Sequence, residues 1–242
     1  PDPTRGGKVD LWPAGKVLGG SSSINGMLYV RGAAHDYDRW AADGCDGWSF
    51  DDLLPLFLDL EASEVGGSDL RGKTGPLSIQ RLRSTHPLAS VFVDAALNAG
   101  ETFNADYNGE SQAGVAYSQA TQKRGQRFSA ARAFLWPGRK PSNVALFVNS
   151  PVTKLKIENQ RCSGVALADG TSISAPQTVI STGAMGTPKL LMLSGIGPAA
   201  QLKEHGIDVA ADVPAVGQNL QDHPEAMVGY EVRERTYNME IN

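Results

Sequence analysis

Residues 15–32 read GKVLGGSSSINGMLYVRG, with two adjacent glycines, three serines and an asparagine ahead of an apolar stretch. Gly19 and Gly20 let the backbone pass close to another group or take positive φ. Ser21, Ser22 and Ser23 are N-cap candidates for a helix expected through Ile24, Met27 and Leu28. A helix start behind bare glycines presents free backbone N–H groups to an anion, typically a phosphate. The stretch therefore reads as a cofactor cradle. The glycines taken alone fit a Gly/Ser linker equally well.

A second informative stretch lies far downstream. Val179, Ile180, Ser181 and Thr182 form a β-prone run that Gly183 breaks. Thr187 is then an N-cap candidate with Pro188 at the first helical position, and Gly195 suits the residue after the helix end. A strand, a turn of small residues and a helix can bring backbone against a nucleotide. Many ordinary strand-to-helix connections share that pattern.

Taken together, the two stretches resemble a known family. Gly15, Lys16, Leu18, Gly19, Gly20, Ser21, Ser22, Ile24 and Asn25, then Tyr29, Gly32 and Asp38, match in register the first signature of the glucose–methanol–choline (GMC) flavin oxidoreductases. Trp40 and the Asp-Gly-Trp-Ser run at 46–49 continue the likeness. Gly183, Ala184, Thr187, Pro188, Leu190, Leu191, Ser194, Gly195, Ile196 and Gly197 resemble the second signature. The resemblance implies an α/β FAD-binding domain interleaved with an α+β substrate domain on an antiparallel sheet. On that basis residues 1–75 and 143–222 belong to the FAD-binding part. Residues 76–142 belong to the substrate domain, and 223–242 begin a further segment of it.

The family's chemistry is oxidation of a carbinol, with a base taking the hydroxyl proton and hydride passing to the flavin. The resemblance assigns flavin contacts to Gly19, Gly20, Ser21, Ser22, Asn25, Gly26, Met27 and Leu28. Asn25 offers both a donor and an acceptor to a flavin edge, although a capping or core role suits an asparagine too. Val152 matches a position whose backbone touches adenine, or is a plain strand residue. Some choline-oxidising members carry a flavin-linked His where this chain has Ile24, so FAD is expected to bind noncovalently. Glu225 matches a carboxylate that faces a trimethylammonium group; a solvated glutamate is the alternative, and none of Trp12, Trp40, Trp48 or Trp136 is placed by the sequence as an aromatic cage.

No catalytic base is expected in this chain. His223 lies in a segment that resembles the family's domain junction and reads as structural, His205 as a helix-end residue, and His35 and His86 as exposed helix-start residues. The family's G-x-G-x-x-G turn is not found, and its catalytic His belongs to a later portion. The chain is thus expected to be an internal fragment, inactive alone, of an alcohol or choline dehydrogenase or oxidase. An FAD-containing hydroxynitrile lyase and a non-catalytic truncated module are the competing readings.

The composition sets outer bounds. The chain has 242 residues, 41% hydrophobic and 20% charged, with a net charge of −4. That balance fits a globular protein, and the absence of a basic block argues against a nucleic-acid partner. No apolar run has membrane-spanning length. Cys45 and Cys162 are isolated and read as buried free thiols, which points to a reducing, cytoplasmic setting and leaves peripheral membrane association of a whole enzyme open. The expected partners are a small alcohol and an electron acceptor, either oxygen or a quinone-type compound.

Patterning predicts helices over 34–43, 51–61, 87–98, 129–135, 188–193 and 199–205. Strands are expected over 76–80, 114–121, 144–148, 152–157, 164–167, 171–174, 178–182 and 227–232, several as hairpins. One functional expectation is open to direct test. In the whole enzyme, Glu225→Gln is expected to weaken choline binding strongly while leaving neutral primary alcohols nearly unaffected, as read from KM for both substrates. Equal effects on both would remove the counter-ion role.

Overall fold

The structure, a computed structural model, describes residues 6–9, 11–136, 142–223, 226–234 and 236. The chain divides into two compact units, Pro1–Val144 with Thr236–Asn242, and Ala145–Arg235. Glu225 lies outside the described residues.

In the first unit a 3₁₀ turn, Gly20–Ser23, precedes α1 (Ala34–Ala42) and α2 (Phe50–Leu60), followed by β1 (Glu61–Ser63) and β2 (Leu77–Arg81). Then come α3 (Pro87–Asn98), β3 (Gln119–Ala120), β4 (Gln122–Lys123), β5 (Gln126–Arg127) and a π-helical turn, Ala131–Leu135. Ser49 starts α2 through a capping box, its hydroxyl accepting from Asp52 N–H while the Asp52 carboxylate accepts from Ser49 N–H. β1 pairs parallel with β2, and β2 antiparallel with β3. Leu28 bridges to Ala120, so the segment after the 3₁₀ turn runs alongside β3. Tyr37, Trp40, Phe50 and Phe57 stack between α1 and α2, with Trp48 against Trp40. The apolar core is small: Ile79, Val65, Ala120, Val93, Phe128, Ala131 and Ala133.

In the second unit β6 (Val152–Glu158), β7 (Arg161–Leu167) and β8 (Ser172–Ser174) form an antiparallel meander. Asn159 and Gln160 both take positive φ at the β6–β7 turn, the geometry that matches strand twist in a two-residue hairpin. α4 (Gly183–Leu193) leads into β9 (Ile196–Gly197), α5 (Ala199–Glu204) and β10 (Ala211–Asp212), with β9 and β10 paired in parallel. Leu155, Leu167, Leu190 and Leu202 are buried here. Gly195 sits at φ +85 with the Asp208 carbonyl against its Cα, so a side chain would meet both strain and overlap.

Several expectations are corrected. No α-helix follows the serines: Ser22 and Ser23 turn their hydroxyls back onto the Gly19 and Leu18 carbonyls, and Met27 stands at φ +63. Such local bonds compete with the helical ladder. Of the strand expected over 114–121 only Gln119–Ala120 pairs within a sheet. Residues 144–148, 178–182 and 227–232 form no ladder with any described residue, although their composition favours strand. α4 begins at Gly183 rather than 188; Pro188 inside it forfeits one bond, to the exposed Ala184 carbonyl. Cys45 is exposed and Cys162 half-buried, because each sits beside a turn rather than in a core.

Ser194 joins α4 to β6. Its hydroxyl donates to Leu190 O at 2.6 Å and accepts from Leu155 N–H at 2.8 Å, fully out of solvent. Ser194→Ala strands a buried amide, at a cost of about 1–3 kcal/mol. Hydrogen exchange at the Leu155 amide is expected to quicken by roughly tenfold or more, with distant β8 amides far less affected.

Candidate functional site

The loop over residues 15–25 is built from contacts that only small residues permit. A Cβ on Gly15 would overlap the Gly20 carbonyl, and one on Gly19 would run into Ser23 Oγ. Gly19 and Gly20 take φ +91 and +55, and Gly20 N–H closes the turn onto Val17 O at 2.8 Å. The serine hydroxyls bond to backbone. Ser21 Oγ accepts from Gly15 N–H, and Ser22 Oγ accepts from Ala130 N–H at 2.9 Å. The predicted cradle is thus a loop around one 3₁₀ turn, Gly20–Ser23, whose hydroxyls hold its own backbone, and no α-helix starts at the serines.

Asn25 ends the loop. Its Oδ1 accepts from Met27 N–H at 3.1 Å and from Arg127 Nη1 at 2.8 Å, so Nδ2 is the part of the amide left facing outward. Met27 O accepts from Thr121 N–H at 2.9 Å, which helps hold Met27 in its strained conformation. Val17, Ile24, Leu28 and Val30 flank the loop as exposed apolar side chains. A planar aromatic group fits such a surface: glycine-thinned backbone on one side, a free amide donor at the edge, apolar side chains for the ring faces. Gly19, Gly20, Ser21, Ser22, Asn25, Gly26, Met27 and Leu28 are therefore contiguous in space as well as in sequence.

A buried polar network anchors the far arm of this segment. Glu61, wholly inaccessible, accepts from Arg31 Nη2 at 2.8 Å, Arg71 Nε at 2.8 Å and Gly72 N–H at 2.9 Å. Arg71 also reaches Asp106, Gln119 and Ser63. Asn108 accepts from Arg31 N–H and donates to the Tyr29 carbonyl, pinning the backbone that follows Leu28. Burial opposes the Arg71 charge, yet Glu61 and Asp106 outweigh it and hold its pKa above the ordinary value. Burial, reinforced by the Glu61 charge, also raises the Tyr29 pKa, and burial raises that of Tyr107, whose oxygen accepts from Gln119 N–H at 2.7 Å.

The second signature lies in the other unit. Its Ser194, Gly195 and Gly197 shape the α4–β9 corner, while Gly183, Ala184 and Thr187 form the opening turns of α4, where Thr182 supplies no side-chain cap. Val152, also in that unit, starts β6 opposite Leu167 and is partly exposed.

These signatures have counterparts. A GMC oxidoreductase family profile matches residues 3–225. The chain belongs to the GMC oxidoreductase family. It is 49% identical over 235 residues to an oxygen-dependent choline dehydrogenase of Brucella anthropi, covering 96% of this chain and 43% of that protein. An enzyme of the same description from Sinorhizobium fredii is 47% identical over 229 residues, 93% of this chain and 42% of the relative. This GMC chain therefore spans less than half the length of the curated relatives it matches. Among solved structures, pyridoxine 4-oxidase from Mesorbium loti superposes with a TM-score of 0.80 at 35% identity, over 88% of this chain and 43% of the oxidase. An FAD-dependent oxidoreductase from Chaetomium thermophilum gives a TM-score of 0.81 at 31% identity, over 86% and 39%. The fold expected from the resemblance, mixed α and β of GMC type, is borne out.

His35 is exposed on α1, His205 follows α5, and His223 is exposed outside any helix or strand. His86 differs from expectation: it is half-buried and caps α3, with Nδ1 accepting from Leu88 N–H at 3.1 Å. Trp40 and Trp48 belong to the aromatic cluster of α1 and α2, and Trp12 is exposed. Among the described residues no helix is long and apolar enough to cross a membrane. Sequence reasoning did not find Arg31, Glu61, Arg71, Asn108, Gln119 or Arg127, since each acts across 8 to 105 positions of chain.

The raised tyrosine pKa values have a definite consequence. The folded state holds these phenol protons more tightly than the unfolded chain, so the stabilisation is complete below pH of about 10 and is lost as pH rises through the folded values. Tyr29 and Tyr107 are expected to ionise above the ordinary phenol range in a tyrosinate absorbance titration. Tyr29→Phe and Tyr107→Phe should each remove one late-titrating phenol.

Proposed function

We propose that this chain is the flavin-cradling portion of a noncovalent FAD enzyme that oxidises the CH–OH group of choline or another small primary alcohol. The observation that carries the reading is the loop at 15–28, thinned by Gly15 and Gly19 and edged by the outward Asn25 amide. FAD, when bound, supplies the hydride-accepting chemistry. The chain's own residues bind and orient. Gly19, Gly20, Ser21 and Ser22 shape the close backbone approach, Asn25 Nδ2 donates at the ring edge, and Gly26, Met27 and Leu28 give the ring its wall. Ile24 is an exposed hydrocarbon with no nucleophile, which supports noncovalent attachment. Val152 contributes backbone to the adenine end.

The choline-type substrate is supported by the names of the Brucella and Sinorhizobium relatives, and their "oxygen-dependent" description supports oxygen over a quinone as acceptor. Glu225 is the proposed counter-ion of the substrate cation. Residues 1–75 and 143–222 serve the FAD-binding part, and 76–142 with 223–242 the substrate part. The pairing of β1 with β2 spans the 75/76 boundary, so those two parts would share a sheet. The catalytic base lies outside this chain. A cytoplasmic setting accords with two unpaired cysteines.

The whole enzyme is expected to purify with a flavin absorbance band that choline bleaches without oxygen. Acid denaturation should release all of the flavin into the supernatant. A colourless protein that gains no flavin on refolding with FAD would overturn the reading; a yellow pellet after acid would overturn noncovalent binding alone.

A further inference from the structure

Arg127, on β5, donates from Nη1 to Asn25 Oδ1 at 2.8 Å and to Ser22 O at 3.1 Å, and from Nη2 to Asn25 O at 2.7 Å. Its guanidinium thus spans both oxygens of a single asparagine and a third on the same loop. No carboxylate among the described residues forms an ion pair with it. A cation whose three side-chain hydrogen bonds all go to neutral oxygens of one loop is arranged to hold that loop rather than to satisfy a charge partner. The neighbouring chain does the same: Ala130 N–H donates to Ser22 Oγ, and Ser129 and Ala131 stand against Gly19. Arg127 O is itself fixed by Arg132 Nη1 at 2.8 Å.

The consequence concerns amide orientation. An unrestrained Asn side chain can present either oxygen or nitrogen outward. A guanidinium donates only, so together with the Met27 N–H it holds Oδ1 inward and leaves Nδ2 outward. We propose that Arg127 is a positioning residue that sets Asn25 as a hydrogen-bond donor toward the flavin. The proposal rests on the reading that this loop carries FAD. Lys in its place would keep the charge but offer one point donor where two forked ones are needed.

The test uses the whole flavoenzyme with Arg127→Met, Arg127→Lys, Asn25→Asp and the Met/Asp double variant. The readouts are the FAD dissociation constant and the shape of the visible flavin band. Arg127→Met is expected to loosen FAD by about tenfold, equivalent to about 1.4 kcal/mol, and to shift the band toward that of free FAD. Arg127→Lys should fall between wild type and Met. Because Arg127 acts through Asn25, the double variant should lose little more than the worse single variant. Penalties that multiply, or an Arg127→Met enzyme with wild-type affinity and spectrum, would overturn the proposal. Should Arg127→Met fail to fold, Arg127→Lys with Asn25→Asp completes the same cycle. A wild-type enzyme that never holds FAD overturns instead the functional reading beneath it.

Discussion

The first unit depends on a buried, nearly closed exchange of charge: Glu61 and Asp106 on one side, Arg31 and Arg71 on the other. Burying charges is costly unless each finds an oppositely charged, well-aligned partner. Here Glu61 is wholly inaccessible and surrounded by donors from two arginines and the Gly72 amide. The strands around it are too short to fix register by themselves, since β1 has three residues and β3 two. The network supplies that register. It ties the chain after Leu28 to β1, to the loop after it and to β3, and removing any one member would leave a buried charge unmatched.

The loop at 15–28 inherits its shape from this anchor and from a second clamp at Arg127. Small residues let the loop fold on itself, and its serine hydroxyls are spent on its own backbone and on Ala130. What remains outward is an amide donor and a set of apolar side chains. That division matters for reading such signatures. In the second one, Ser194, Gly195 and Gly197 hold a helix-to-strand corner together, so a signature residue can be required by packing rather than by a ligand.

Helices and hairpins set by local chemistry were legible in the chain. The glycine stops at Gly44, Gly100 and Gly195 and the polar turn at Asn159–Gln160 act within a few residues, whereas the capping box at Ser49 and Asp52, which starts α2 at Phe50, was not read from the sequence. The β-prone runs at 144–148 and 178–182 were not legible in the same way, because strand formation needs a partner that composition does not name. The serine run failed as a helix signal for the opposite reason. Its side chains found backbone acceptors closer than any helical ladder.

The noncovalent expectation at Ile24 and the flavin contacts expected from Gly19 to Leu28 rest on a family resemblance; from the residues alone came the glycine- and serine-rich stretch at 15–32 and the two signatures. Those follow from residue type and spacing, which a linear chain carries in full. The direction in which Asn25 points, the burial of Glu61 and the roles of Arg31, Asn108 and Arg127 belong to the tertiary structure. Each depends on a donor meeting an acceptor from a distant part of the chain, and only folding brings the two within about 3 Å.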